Sequence, residues 1–457
     1  MRGLALFAIL PLLGSTGDFL SRPPEALRSR VISLDPSELE GERIRLKLFE
    51  LETVEVVRES LENRGPGTFT WVGQVRGDDT SSVVLSVVRN SVSASVRLAS
   101  AQYRIRPIGA GLHRIEEIAP GSEPSERLPL PARPAPAPPP KGDSTNDAEL
   151  DLLVVYTPRA RSAAGGVDAI ASLVGLGVAE TNRALEKSEV RTRLRLVELS
   201  EAPFVEAGRV ESDLEILRDS RDGALDSVHA LRDLHGADVV QLVVEEGDGC
   251  GVAYSMGRTG AAFSEWAFSV VEWSCIDTTY AMAHELGHNL GCDHAPEDPT
   301  TNGAFRYSFG YKDLLAGFRT VMAYGPGRRV ARFSNPRVLF GGVLAGTALQ
   351  DNARSLNELG GIAARFRRRI PPPRLVSVSG TRPGSTRLRI ASEEPRVLEW
   401  RLLLGTSVSA ADVLDTGFRA SEVFDVDTAS IQGARFARLW YRRGSVWIVE
   451  DSSWPPS

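Results

Sequence analysis

Three of the chain's six histidines fall inside the stretch AMAHELGHNLGCDHA (281–295), and Glu285 stands beside the first of them. His284 and His288 are four residues apart. On a helix they lie about 40° apart on one face and roughly 6 Å along the axis, so both imidazoles can reach one ion. Gly291 follows three residues after His288, where helices commonly end in a left-handed residue that glycine adopts at least cost. The chain can then turn back and bring His294 to the same ion. Three neutral histidines on Zn2+ leave a fourth position for water, which is the arrangement of a catalytic rather than a structural site. Glu285 points to another side of the helix, where it can serve the water. Zinc lowers the pKa of that water to about 7, and a carboxylate nearby can take its proton and later deliver it to a leaving amine. Cys292, inside the same stretch, is either an odd thiol or a small buried apolar side chain.

A helix carrying such residues needs a scaffold, and the sequence upstream supplies alternating strand and helix patterns. LDLLVVYT (150–157) is an apolar run of strand length, and residues 167–185 place Val167, Ile170, Val174, Val178 and Leu185 at helical intervals. VRTRLRLVEL (190–199) alternates like a half-exposed strand, and DVVQLVVE (238–245) reads as a buried one. Helical stretches at 211–218 and 224–234 lie between them, which predicts an α/β arrangement of roughly 220 residues. Cys250 and Cys275 lie just upstream of the histidines, and in an exported protein they are the preferred pair for a disulfide.

The 457 residues are too many for one core. With 42% hydrophobic and 25% charged residues, the composition is that of a soluble globular protein. A net charge of −6 and the lack of a long basic run give no indication of a nucleic-acid partner. Residues 1–17 read as a cleaved signal peptide: Arg2, an apolar run over 4–13, then small residues. That run falls short of the ~20 residues needed to span a bilayer, so no membrane span is expected. Residues 18–120 are β-rich, with SSVVLSVV (81–88) and SVSASVRL (91–98) forming a hairpin around Arg89-Asn90. Residues 121–147 form a proline-rich linker, expected to stay extended and solvated and to present Lys141 for proteolysis, which suggests a removable pro-segment. A second boundary falls at Pro371-Pro372-Pro373. The tail (371–457) reads as all-β, with strands at 398–406, 434–444 and 445–450.

Taken together, the complete pattern His-Glu-x-x-His-x-x-Gly-x-x-His and the later FRTVMAYGP (318–326) resemble the metzincin zinc peptidases. SFGY (308–311) and ARFSNPRVLFGG (331–342) resemble the bacterial reprolysin-like and peptidyl-Asp group. The resemblance spans about residues 149–369. It implies a mixed-sheet α/β (α+β) catalytic domain at 148–370 with an active-site helix, and one catalytic Zn2+ on His284, His288 and His294. It also implies a substrate that is a protein or peptide, a structural Met322 beneath the metal, and Tyr324 as an oxyanion stabiliser. A tyrosine merely packed under the loop remains the alternative.

Two departures stand out. Ala295 occupies the position where reprolysins usually carry an aspartate, and residues 325–332 lack the cysteines of relatives. The segment before the linker has no cysteine either, so latency cannot use a thiolate on the metal. Arg328 or Arg329, just past the methionine, could favour acidic residues after the cleaved bond, or could belong to a solvated basic loop. Calcium stays open, since DGCG (248–251) is too short for a calcium loop. The tail resembles immunoglobulin-like β-sandwich modules of secreted bacterial enzymes. In it Trp440, Tyr441 and Trp447 form either a platform for a surface or polymer contact or part of the core. The expected function is thus a secreted zinc endopeptidase made as a precursor. The competing class is a non-catalytic secreted binding protein on the same scaffold.

Overall fold

The computed structural model describes residues 26–119, 127–133, 148–257, 260–301, 303–379, 384–393, 395, 397–407, 411–421 and 423–454. The expected signal peptide and Lys141 lie outside the described residues.

The N-terminal part is one antiparallel sheet of eight strands: β1 (Ala26–Ser33), β2 (Arg43–Phe49), β3 (Glu52–Gly65), β4 (Thr68–Val75), β5 (Ser82–Val88), β6 (Ser91–Arg97), β7 (Gln102–Gly109) and β8 (Leu112–Ile118). Their spatial order is β1-β8-β7-β6-β5-β4-β3-β2. β5 and β6 form the hairpin read from the sequence, with Arg89 in the turn at φ 53°. One face of the sheet packs Trp71, Leu85, Val87, Ala94 and Ile105 into its own core. The other face meets a helix of the central part, which is why β5 and β6 are buried on both sides.

The chain then passes through β9 (Leu130–Pro131) to β10 (Ala148–Tyr156), α1 (Pro158–Ala164), α2 (Val167–Glu186), β11 (Thr192–Glu201), α3 (Val210–Arg218), α4 (Asp226–His235), β12 (Val239–Val244), β13 (Gly251–Ser255), β14 (Phe268–Glu272), α5 (Ile276–Thr279) and α6 (Ala281–Asn289). The sheet order is β11-β10-β12-β14-β13-β9. β10, β11, β12 and β14 are parallel, and β13 runs antiparallel to β14. β10 and β12 are buried along nearly their whole length, as expected of central parallel strands covered on both faces. α2 is buried around most of its circumference because it lies between the N-terminal sheet, β11 and α6.

Beyond α6 come the short strands β15 (Lys312–Asp313), β16 (Phe318–Arg319) and β17 (Arg328–Arg329), the hairpin β18 (Asn335–Phe340) and β19 (Val343–Ala345), and α7 (Asn352–Ala363). The tail contains β20 (Arg374–Ser379), β21 (Ser385–Ala391), β22 (Val397–Gly405), β23 (Leu414–Asp415), β24 (Val423–Asp427), β25 (Phe436–Arg443) and β26 (Val446–Ser453). These form sheets of order β20-β21-β24 and β23-β22-β25-β26 that contribute to one apolar cluster. Tyr441 is buried in that cluster. Trp440 and Trp447 instead gather around Phe418, at ring distances of 6.2 and 5.1 Å. Trp447 also packs against Gly65 of the N-terminal sheet.

One expectation changes. Residues 127–133 are extended but not simply solvated: Pro129 is buried, and β9 pairs in parallel with β13 through Leu130–Tyr254 and Pro131–Ser255. Proline lacks an N–H but keeps its carbonyl, so it can still join a sheet at the edge.

Candidate active site

α6 starts from Tyr280, whose left-handed φ of 57° breaks the chain from α5, and it carries His284, Glu285 and His288 into the interior. The helix ends at Asn289 and Gly291 follows at φ 80°. The return loop then delivers His294. Each Nδ1 meets a backbone carbonyl: His284 with Val321 at 3.0 Å, His288 with Cys292 at 3.0 Å and His294 with Pro299 at 2.7 Å. Donation from Nδ1–H fixes the tautomer and leaves the three Nε2 lone pairs facing inward. The Nε2 atoms lie 3.1–3.2 Å apart.

Three unprotonated nitrogens at that spacing repel one another unless a cation sits between them. Tetrahedral Zn–N bonds of about 2.0–2.1 Å give N–N separations of roughly 3.3 Å, so the cluster fits zinc. Burial pushes all three pKa values down, His294 to about 4, and neighbouring positive groups push His284 down further. The rings are therefore neutral, as ligands must be. Among the described residues this is the only group of three or more His, Cys, Asp or Glu side chains placed to hold a metal.

Glu285 is 2% exposed and lies against the neighbouring strand. A Cβ on Gly251 would come within 2.7 Å of its Oε1, so the strand approaches this closely only because residue 251 is glycine. The Cys250–Cys275 disulfide ties the start of β13 to the segment leading into α5. Met322 is fully buried, its Sδ 2.4 Å from where a Cβ on Gly287 would stand, so it lies directly against α6. Its turn also supplies the Val321 carbonyl and Tyr324, whose ring centroid is 4.2 Å from that of His294. The Tyr324 hydroxyl donates to the Arg127 carbonyl at 3.3 Å. Cys292 is buried and unpaired, its pKa pushed well up by burial.

Arg328 and Arg329 separate. Arg328 donates to the Leu98 carbonyl of the N-terminal part at 2.7 Å. Arg329 is buried, donating to Thr279 O at 2.7 Å and Ala323 O at 3.2 Å, and its charge lowers the pKa of His284 and His294. Neither belongs to a freely solvated loop. At DGCG, Asp248 is engaged by Arg127 and Arg209.

Sequence reasoning missed two aspartates. Asp298 accepts from Tyr324 N at 2.8 Å and pairs with Lys312, which also donates to Gly325 O at 3.0 Å. Asp293 accepts from His294 N at 2.8 Å and Thr301 N at 2.9 Å. Together they brace the return loop where Ala295 leaves no carboxylate. For Asp298 the hint in the sequence was the acidic APEDP (295–299) just after the last histidine, a run that does not include Asp293.

Residues 147–351 match the M12B reprolysin-like metallopeptidase family. A peptidyl-Asp metalloendopeptidase of Xanthomonas campestris pv. campestris is 34% identical over 67% of this chain and 75% of its own length. The chain belongs to the M12B reprolysin-like metallopeptidases. It is therefore a zinc metalloendopeptidase acting on proteins or peptides, which sets aside the non-catalytic alternative. A second peptidyl-Asp metalloendopeptidase, from Stenotrophomonas maltophilia (strain R551-3), is 32% identical over 70% of this chain and 82% of its own. The solved metalloproteinase-II from Bacteroides fragilis covers 55% of this chain and 81% of its own at 13% identity and a TM-score of 0.35, too distant to carry any argument. No single helix among the described residues is long and apolar enough to cross a membrane.

Proposed function

We propose that this reprolysin-like peptidase is a metzincin made as an exported precursor, with a signal peptide at 1–17, a β-rich pro-segment at 18–120, a linker at 121–147, a catalytic domain at 148–370 and a C-terminal sandwich-like module at 371–457. His284, His288 and His294 hold the catalytic Zn2+. The observation that carries this assignment is the inward convergence of three Nε2 atoms 3.1–3.2 Å apart, each ring oriented by a carbonyl. Zinc, when bound, polarises the peptide carbonyl and acidifies the water that attacks it. Glu285 accepts the proton of that water at a carboxylate oxygen and passes it to the leaving amine nitrogen. Tyr324 donates from its hydroxyl to the developing oxyanion. Met322 acts through packing alone.

The relatives are named peptidyl-Asp metalloendopeptidases, and Arg329 offers this chain a matching positive charge beside the histidines. We assign it, rather than Arg328, to an acid-preferring subsite. Glu285→Gln in the processed enzyme is expected to lower kcat for casein or a quenched peptide by about 10²–10⁴-fold with one zinc retained. Equal cleavage by both proteins would refute the role of Glu285. Profiling a peptide library with wild type and Arg329→Met tests the subsite: no enrichment of Asp or Glu by wild type removes it.

A further inference from the structure

We propose that the outer face of the C-terminal sheet, around Trp440 and Trp447, is a second protein-binding surface of the processed enzyme and takes an extended glycine- and proline-rich polypeptide. The proposal rests on the reading of residues 18–120 as a removable pro-segment and adds what its departure uncovers away from the histidines.

Along β25 the side chains alternate. Ala437, Leu439 and Tyr441 enter the core of the tail, while Arg438, Trp440 and Arg442 lie on the opposite face. The register sets Arg401 and Val449 beside Trp440, and Glu399 and Trp447 beside Arg442. Phe418 gathers both tryptophans, and the Arg401 guanidinium stands 5.1 Å from the Phe418 ring and 5.6 Å from that of Trp440. The arginines of this face are balanced: Arg401 pairs with Asp415 at 2.6 Å, Arg438 with Asp451 at 2.7 Å and Arg442 with Glu399 at 3.7 Å. A strongly charged partner gains little from such a surface. What the face offers is aromatic area and a spare donor, because the Trp440 indole N–H is buried without an acceptor among the described residues.

The chain itself shows what this surface receives. β3 ends at Gly65, which opens the turn Gly65-Pro66-Gly67 into β4 and lies against Trp447. A Cβ on Gly65 would come within 2.7 Å of Cδ1 and Cγ of Trp447 and 2.9 Å of its Cβ, so only a residue without a side chain comes this close. Aromatic area that admits bare backbone, with an indole N–H to meet a carbonyl, suits a polyproline-type chain, whose own carbonyls make no internal hydrogen bonds. Glycine then fits against Trp447 and proline packs on the neighbouring rings. The surface is also held in a fixed place. Ser445, in the turn between β25 and β26, donates from its N–H and its hydroxyl to the Glu198 carboxylate at 3.0 Å each, and Arg443 donates to the Pro371 carbonyl at 2.8 Å. Glu198 belongs to β11, four strands away from β13 in the central sheet. Four spacings of about 4.8 Å put it roughly 19 Å from the strand beside the histidines. The face is therefore no subsite of the cleft; it anchors the enzyme to a long chain that the histidine site cuts elsewhere.

The test measures binding to an immobilised peptide of Gly-Pro-Gly repeats, with every chain carrying Glu285→Gln so that nothing is cut. The processed chain is expected to bind, and Trp447→Ala should weaken that binding at least about tenfold. The full-length chain, in which β3 holds the surface, should also bind at least about tenfold more weakly than the processed one. Full-length Gly65→Leu, whose side chain has no room against Trp447, should recover binding without any processing. In the processed enzyme with Glu285 intact, Trp447→Ala should leave kcat and KM for a short quenched peptide unchanged and raise KM for gelatin. The proposal is overturned if Trp447→Ala binds as its parent does, if full-length and processed chains bind alike, or if the processed chain prefers chitin or a glucan to the peptide. Binding by full-length Gly65→Leu in a chain that never loses its N-terminal part would uphold the surface and refute the precursor reading.

Discussion

Gly251→Ala isolates the contact that sets Glu285. On the present backbone the new Cβ would lie 2.7 Å from Glu285 Oε1, 2.8 Å from Val270 O and 3.0 Å from Glu285 Cγ. Unbonded carbon and oxygen approach to about 3.3 Å at best, so roughly 0.5 Å must be found in each direction. Val270 O belongs to the partner strand, where Val252 opposes Val270, so that side yields least. The carboxylate must move instead. Overpacking of this kind costs about 1–3 kcal/mol, and misplacing a reacting group by about 1 Å costs on the order of 10²-fold in rate. The three atoms nearest the methyl belong to Glu285 and Val270, not to a histidine, so metal binding should survive. We therefore expect kcat of the processed enzyme to fall about 30–100-fold with one zinc retained. Steady-state cleavage of a quenched peptide, paired with metal analysis, measures both. A variant within about threefold of wild type, folded and zinc-loaded, would refute the reasoning that β13 positions the base.

Two further outcomes follow from buried partners. Asp298→Ala leaves the Lys312 ammonium with the Gly325 carbonyl alone and frees the backbone of Tyr324, so we expect a stability loss of about 3 kcal/mol and a lower kcat. Asp298→Asn keeps an acceptor for Tyr324 N–H and should lie between, and equal melting temperatures for all three proteins would contradict this. His113 is fully buried and its Nε2 accepts from Val92 N at 3.0 Å; burial lowers its pKa from 6.5 to about 4. Its folded-state pKa lies below the unfolded one, so its contribution is complete above pH 6.5 and is lost as pH falls towards 4. That gap is worth on the order of 3 kcal/mol. Melting curves of the full-length chain should fall more steeply on acidification for wild type than for His113→Gln, and parallel pH profiles would exclude the role.

The elements that carry strong periodicity were legible. The helix read at 167–185 is α2, and the hairpin around Arg89-Asn90 is β5 and β6. The histidine spacing likewise foretold a helix, a glycine exit and a return. What escaped reading depends on partners distant in sequence. In β7 Arg104 and Arg106 alternate with Tyr103 and Ile105, yet Arg104 is 2% exposed and pairs with Glu116 while Arg106 grips Asp277. Leu130 and Pro131 have no strand pattern of their own, because two residues become a strand only when an edge is offered. Asp298 reads as a loop acid, and the groups that give it a role stand 14 and 26 residues later.

The same distinction explains why Ala295 is tolerable. All three imidazoles are oriented by backbone carbonyls, those of Val321, Cys292 and Pro299, and a side-chain substitution cannot delete a carbonyl. What it can do is release the loop that aims one. Two of those carbonyls lie in or beside the return loop, which Asp293 closes through Thr301, while Asp298 ties the loop to Tyr324 and so to the turn that carries the third. Asp298 thus puts a carboxylate between His294 and the methionine turn although residue 295 has none. The missing aspartate is compensated by geometry that the linear motif does not encode.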